Sequence, residues 1–462
     1  MTDPTAAPSN DAPAPRVVTF SEALRVWIRV ALLSFGGPTG QIAVMHRIIV
    51  EEKRWISESR FLHALNYCML LPGPEAQQLA TYIGWLMHRT LGGLVAGGLF
   101  VVPGFLSILG LSLLYTEYGD VAVVQGIFYG LKPAVVAIVI EAVLRISKKS
   151  LKNRVMVGIA VLAFIAIFFF EVPFPIVILS AGLIGFVGSR VRPDLFVVLK
   201  GHAAKGGSGE PIQEVALHEV RPTLVRSIGV ALSWLPLWLG PVAALWVLAG
   251  PQNVFTQEGV FFSKAAAVTF GGAYSVLAYV RQECVNTHHW LTELQMLDGL
   301  GMAETTPGPL IQVVQFVGYL GAYKEPGSFS PIMAGVLGSI LTTWVTFTPS
   351  FFWVFLGAPY IERLRNRPSL TAALSAITAA VVGVVLNLSI WFALKVIFKT
   401  VPEVHWGQFR YFVPDVSSLD RAALAITIVA CLATFRFKLG MVWTLAGCAG
   451  LGLLCRMFWG AS

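Results

Sequence analysis

The sequence predicts an all-α polytopic membrane protein made of two repeated halves of opposite orientation. Hydrophobic residues make up 56% of the 462-residue chain and charged residues only 13%, where an ordinary soluble domain carries about 25% charge. Mean hydropathy is +0.71. Stretches such as 92–115, 155–170, 331–349 and 439–454 are nearly free of charge. They approach or exceed the roughly 20 residues that cross a hydrocarbon layer as a helix. Period-two alternation is absent, so helices and not barrel strands are expected. The third observation is an internal repeat at an offset of 235 residues. Phe35-Gly36-Gly37 recurs as Phe270-Gly271-Gly272, Trp55 and Glu58 as Trp290 and Glu293, Pro72-Gly73-Pro74 as Pro307-Gly308-Pro309, and Gln77 as Gln312.

Taken along the chain, residues 1–19 are Pro/Ala-rich without an apolar core, which predicts a disordered tail and no signal peptide. Residues 20–189 form the first repeat. Its opening helix, 22–34, has 13 residues, about 20 Å of rise, before Phe35-Gly36-Gly37-Pro38 breaks it. The helix 61–71 is as short before Pro72-Gly73-Pro74. Each motif region is either a broken spanning helix or a re-entrant hairpin, and the basic stretch 51–60 (Lys53, Arg54, Arg60) fits hairpins better. Residues 190–225 read as a flexible cytoplasmic linker carrying Arg190, Arg192, Lys200, Lys205 and Arg221. Residues 226–250 supply one linking transmembrane helix, and 255–460 the second repeat. Late in each half the offset becomes 246, with Pro103 matching Pro349 and Val135-Val136 matching Val381-Val382. An insertion near 323–330 accounts for the slip.

Loop charge fixes the orientation. The connection 116–120 has Glu117 and Asp120 and no base, while its counterpart 362–367 has Arg363, Arg365 and Arg367. The next connection holds Arg145, Lys148, Lys149, Lys152 and Arg154, while its counterpart 395–420 is mixed in sign. The turn 171–175 lacks a base, and its counterpart has Arg436 and Lys438. Bases mark the cytoplasmic side, so the two halves are inverted. About 13 membrane segments follow, with the N-terminus cytoplasmic and the C-terminus periplasmic.

The breaks carry the chemistry. Proline lacks a backbone N–H and glycine admits unusual dihedrals. A helix restarting at Pro74 or Pro309 has unpaired first-turn N–H groups and a partial positive charge, for which an anion is a natural partner. Interrupted helices in corresponding places of two halves mark the binding site of secondary transporters. The substrate-binding candidates are therefore Phe35, Gly36, Gly37, Pro38, Pro72, Gly73, Pro74 and Gln77, with Phe270, Gly271, Gly272, Pro307, Gly308, Pro309 and Gln312. Glu75 and Glu304 flank the two Pro-Gly-Pro motifs and are candidates for proton coupling. Arg25 and Arg29, four apart, are candidates for admitting an anion or anchoring a cytoplasmic helix end. Lys132 and Glu141 lie nine apart in one apolar segment, too far for a direct pair. His288-His289 point to different helix faces and make no convincing metal site. Cys68, Cys284, Cys431, Cys448 and Cys455 read as small buried residues. With no P-loop, dinucleotide fingerprint or nucleophile elbow, neither enzyme chemistry nor a cofactor or nucleic-acid partner is expected. Basic cytoplasmic loops alone produce the net charge of +8; attraction of an anionic substrate is the second reading, which net charge does not establish.

The stretches FGGPTGQIAVMHRIIVEEKRW and NYCMLLPGPEAQQLATYIGW resemble the N-terminal half of the chromate ion transporters, and TFGGAYSVLAYVRQECV with TTPGPLIQ resembles their C-terminal half. The likeness covers about residues 20–455, the long two-domain form. It implies chromate efflux across a bacterial inner membrane, driven by the proton-motive force and giving chromate resistance. Sulfate is the obvious competing dianion. Transport of sulfate or another oxyanion is the alternative reading, and a membrane-embedded enzyme or sensor without flux is a second. The oligomeric state is open, with a homodimer one option.

Overall fold

The computed structural model describes residues 18–35, 37–196, 222–270, 272–360 and 368–459. Most of the predicted tail and linker, the arginines Arg363, Arg365 and Arg367, and the middle glycines Gly36 and Gly271 lie outside the described residues.

The first half comprises α1 (Phe20–Leu33), α2 (Gly37–His46), α3 (Glu58–Cys68), α4 (Glu75–Tyr118), α5 (Ala122–Ser150), α6 (Arg154–Phe170) and α7 (Phe174–Val191). A short α8 (Pro193–Phe196) and the long α9 (Leu224–Ala249) precede the second half. That half comprises α10 (Val254–Ala267), α11 (Ala273–Arg281), α12 (Glu293–Thr305), α13 (Val313–Lys324), α14 (Pro331–Gly357), α15 (Pro368–Ile397), α16 (Arg421–Cys431) and α17 (Met441–Trp459). Even the irregularities recur. A π-helical turn follows α2 at Arg47–Glu52 and α11 at Gln282–Thr287. Left-handed Arg54 and His289 then stop the chain at φ 52° and 54°, and buried Trp55 and Trp290 follow.

The breaks form where sequence leaves the backbone no helical continuation. Ser34 Oγ and Thr269 Oγ1 each donate to the carbonyl four residues back, both at 2.6 Å, a back-bond that competes with continued helix. Gly37 and Gly272 then take φ of 65° and 97°, a region open to glycine at little cost. On the far side, α12 starts on a reciprocal Thr292–Gln295 capping box, and α4 starts directly after Pro74.

α4 is not one straight helix. His88 and Arg89 leave helical geometry, and the two arms fold against each other. A β-carbon on Gly84 would collide with the Gly92 carbonyl oxygen, and one on Gly97 with Thr81 Oγ1. The corresponding pair α13 and α14 is joined instead by the longer connection 325–330, where the repeat offset slips. Their contact again runs through glycine: a β-carbon on Gly318 would collide with Thr342 Oγ1. Close approach through small residues is how helices associate where hydrophobicity supplies no drive between them.

Among the described residues, seven helices are long and apolar enough to cross a membrane: α4, α5, α7, α9, the α14 region, α15 and α17. The chain is a multi-pass membrane protein. The seven fall short of the 13 expected segments because α1, α10, α12, α13 and α16 are 11 to 14 residues long and α6 has 17, and α4 merges two expected segments. α15 lies at the centre of the scaffold, against α5, α6 and α7. The sequence reading missed one element. The connection before α16 contains a β-hairpin, β1 (Glu403–Trp406) and β2 (Phe409–Phe412), paired antiparallel. Arg410 pins it down: its buried guanidinium reaches Glu171 Oε1 at 2.5 Å and Glu403 Oε1 at 3.0 Å and donates to the carbonyls of Ile167 and Phe168 at the end of α6. The hairpin is too short and too polar in alternation to register as a strand signal.

Replacing Gly84 with Leu forces the arms of α4 apart. We expect a loss of about 3 kcal/mol from overpacking, read as a lowered unfolding temperature in detergent, whereas Gly98→Leu, whose β-carbon meets nothing within 4 Å, leaves it unchanged.

Candidate anion-binding site

The two Pro-Gly-Pro motifs are tied crosswise to the two Phe-Gly-Gly breaks. The Gly73 N–H donates to the Thr269 carbonyl at 2.8 Å, and the Gly308 N–H donates to the Ser34 carbonyl at 2.9 Å. Ser34 and Thr269 are repeat equivalents, as are Gly73 and Gly308, so each half supplies a donor to the helix end of the other. Both glycines sit at positive φ, 126° and 98°. Each also rests on the opposite half: a β-carbon on Gly73 would stand 2.6 Å from Ser350 Oγ on α14, and one on Gly308 would stand 3.1 Å from Gly104 Cα on α4. Gln41 adds a third link by donating to the Gly308 carbonyl.

Beside this crossing lies a cavity of about 130 Å³. Three helix starts border it: Pro38 and Thr39 at the start of α2, Glu75 at the start of α4, and Gly272, Ala273 and Tyr274 at the start of α11. Arg145, Lys149 and Ser150 close it from the end of α5. Arg145 is half-buried, while Lys149 and Thr39 are exposed, so the cavity opens on the side of the basic connection after α5. Tyr274 Oη donates to Glu304 Oε1, which links the cavity wall to a buried carboxyl. First-turn N–H groups and two cations around a space of this size make an anion-binding arrangement.

Comparison with known proteins decides the family. The sequence profile described as Chromate transporter matches residues 21–186 and 257–453. The chain belongs to the chromate transporter family. A chromate transport protein of Cupriavidus metallidurans is 29% identical over 438 residues, 94% of this chain and 93% of its own length. One from Pseudomonas aeruginosa is 31% identical over 398 residues, 85% of this chain and 86% of its own. An uncharacterized transporter of Methanocaldococcus jannaschii is 25% identical over 371 residues, 80% of this chain and 83% of its own. No solved structure matches the chain.

The structure of this chromate transporter family member brings some predicted residues together and separates others. Pro38, Glu75 and Gly272 line the cavity. Pro72 to Pro74 adjoin it through Glu75. Pro307, Gly308 and Pro309 do not line it. They take part in the crossing and the contact with α4, so the cavity is bordered by three helix starts and not by the one after Pro309. Gln77 donates to Thr81 Oγ1 at 3.2 Å within α4, and Gln312 donates to Gln315 Oε1 at 2.7 Å within the start of α13 and to Thr343 Oγ1 on α14 at 3.3 Å; neither glutamine lines the cavity. Phe35 and Phe270 are half-buried at the breaks. Arg25 and Arg29 are exposed and off the cavity, Arg29 in an ion pair with Glu52 at 2.6 Å. Lys132 pairs not along its own helix but across to Asp298 on α12, at 3.2 Å. His288 stacks on Trp290 with ring centroids 4.4 Å apart. Sequence reasoning missed Arg145, Lys149 and Tyr274 at the site. Arg145 and Lys149 entered only as loop charges, although their spacing of four already put them on one helix face.

Gly73→Ala and Gly308→Ala each place a β-carbon at a left-handed φ against the opposite half. Each is expected to cost about 2 kcal/mol, measured by thermal unfolding of the purified protein. Gly327→Ala, also at positive φ but with open space around it, costs about 1 kcal/mol from backbone alone.

Proposed function

We propose that this chain is a secondary-active exporter of chromate in a bacterial inner membrane, driven by the proton-motive force and conferring chromate resistance. The observation that carries the reading is the cavity at the helix breaks, where three helix starts meet Arg145 and Lys149. A tetrahedral dianion bound there accepts from first-turn N–H groups and from the two cations. It needs no deeply buried unpaired charge, which the membrane penalises heavily. The substrate-binding set is Pro38, Glu75 and Gly272 with the adjoining Phe-Gly-Gly and Pro-Gly-Pro residues, extended by Arg145, Lys149 and Tyr274. Glu75, on the cavity wall, and Glu304, behind Tyr274, carry the coupling protons: a carboxylate beside the anion repels it, and a protonated one does not.

Under this reading the repeats are inverted, about 13 segments lie at or across the membrane, and the basic connection after α5 faces the cytoplasm. The cavity then opens toward the compartment from which chromate is removed. The crossed hydrogen bonds between repeat-equivalent residues support the pseudo-symmetry that such a transporter uses to alternate its access. Sulfate shares the shape and charge of chromate and is the alternative substrate. Nothing in the geometry favours an enzyme or a sensor.

The direct test is chromate uptake into inside-out membrane vesicles, with and without a proton gradient and with sulfate as competitor. Gradient-dependent, saturable accumulation is expected, and its absence from vesicles shown to contain the folded protein overturns the reading. Arg145→Gln raises the half-saturating chromate concentration about tenfold, the equivalent of about 1.4 kcal/mol, with an unchanged unfolding temperature. Of Glu75→Gln and Glu304→Gln, the variant at the coupling site retains chromate exchange but loses its dependence on the proton gradient. Gradient dependence surviving in both would remove these carboxyls from the coupling.

A further inference from the structure

A second polar cavity lies at the other end of α5. Its volume is about 560 Å³, and its walls include Tyr115, Lys132, Asp298, Lys324 and Arg456. Lys132 and Arg145 are 13 positions apart on α5, about 20 Å of helix rise, so the two cavities lie at opposite ends of one spanning helix. Between them residues 133–139 of α5 are all buried and apolar, and no residue lines both cavities.

Three cations, Lys132, Lys324 and Arg456, and two carboxylates, Asp120 and Asp298, line the second cavity, so its charge is positive by one. Lys132 is held by Asp298 at 3.2 Å, and the same carboxylate accepts from Tyr115 Oη at 3.0 Å. Asp298 is buried. Lys324, at the end of α13, has no acidic partner among the described residues. Arg456, on α17, meets the neutral amide of Gln125. Two cations from two different helices thus face one space with no carboxylate in an ion pair with either, and a third is held at its inner wall by an exchangeable partner. Asp298 lies on α12, the helix that runs on to Thr306 and the second Pro-Gly-Pro motif.

We propose that this cavity is a second binding site for a tetrahedral oxyanion, with Lys324 and Arg456 as its cations. Lys132 transfers from Asp298 to the anion as the site fills. The proposal rests on the oxyanion-transport reading and extends it to the opposite face: an anion leaving the first cavity passes the buried stretch 133–139 and is received here before it reaches the far compartment. The Lys132–Asp298 pair closes the inner wall when no anion is present, because a buried carboxylate and a lysine satisfy one another only as long as neither has a better partner.

Equilibrium binding of chromate to the purified full-length protein in detergent tests this. Two sites per chain are expected. Lys324→Gln combined with Arg456→Gln weakens one of them by tenfold or more, since two charge-assisted hydrogen bonds to the anion are lost. Arg145→Gln weakens only the other. Asp298→Asn frees Lys132 and tightens the second site about tenfold, a gain that misfolding does not mimic. Two unchanged sites in the Lys324/Arg456 variant, or a single wild-type site that Arg145→Gln weakens, overturns the proposal and leaves the first cavity standing. No chromate binding by the folded wild-type protein overturns the oxyanion reading itself.

Discussion

Inside a membrane a backbone N–H or C=O has no water to turn to, and each group left unpaired costs several kcal/mol. A helix that stops halfway leaves four carbonyls open at its end, and one that starts halfway leaves four N–H groups. This protein stops α1 and α10 and restarts at α4 and after Pro309. Two of the open carbonyls, those of Ser34 and Thr269, are met by the N–H groups of Gly308 and Gly73. The proline on each side of those glycines removes competing donors, and positive φ points the remaining N–H across to the other half. The crossing is therefore what permits interrupted helices here at all, and the rest of the site is arranged around it.

With the crossing in place, the first turns of α2, α4 and α11 are free of it, and residues from all three border the smaller cavity. Their partial charges are fixed by backbone geometry and cost nothing to bury beyond the helices themselves. Arg145 and Lys149 add full charges only near the rim, where water still reaches Lys149. The electrostatics thus grade from full charge at the mouth to dipoles at the depth of the breaks, an order that suits a carrier, which must release what it binds.

The sequence disclosed the frame better than the site. The offset of 235 located the four Gly and Pro breaks, because Gly and Pro at matching positions have few explanations other than a required backbone geometry. It also placed the slip, now seen as the longer 325–330 connection. What stayed hidden is what depends on which helices meet. Arg145 and Lys149 read as a cytoplasmic charge cluster, because their line of approach to Pro38 and Glu75 is set by packing of α5 against the other half. The Lys132–Asp298 pair joins residues 166 positions apart, and no local spacing signals such a contact. The fold of α4 at His88 was equally silent, since a helix reversal made by two residues in unusual dihedrals leaves no proline behind. The β-hairpin before α16 was lost among mixed charges, its anchor Arg410 being one more base in a loop.

The two halves have not diverged evenly. Residues that make the crossing are alike in both: Pro72-Gly73-Pro74 and Pro307-Gly308-Pro309 are identical, and Ser34 and Thr269 both carry hydroxyls. Residues that face the smaller cavity differ: Pro38 stands opposite Ala273, and Glu75 opposite Leu310. A duplicated chain would have begun with two equivalent pockets, one per half. Holding the shared frame fixed while one copy of each wall residue drifted leaves a carboxylate directly after only the first Pro-Gly-Pro motif, so the two halves no longer offer equivalent walls. The frame is shared by both halves, and the wall of the smaller cavity is not.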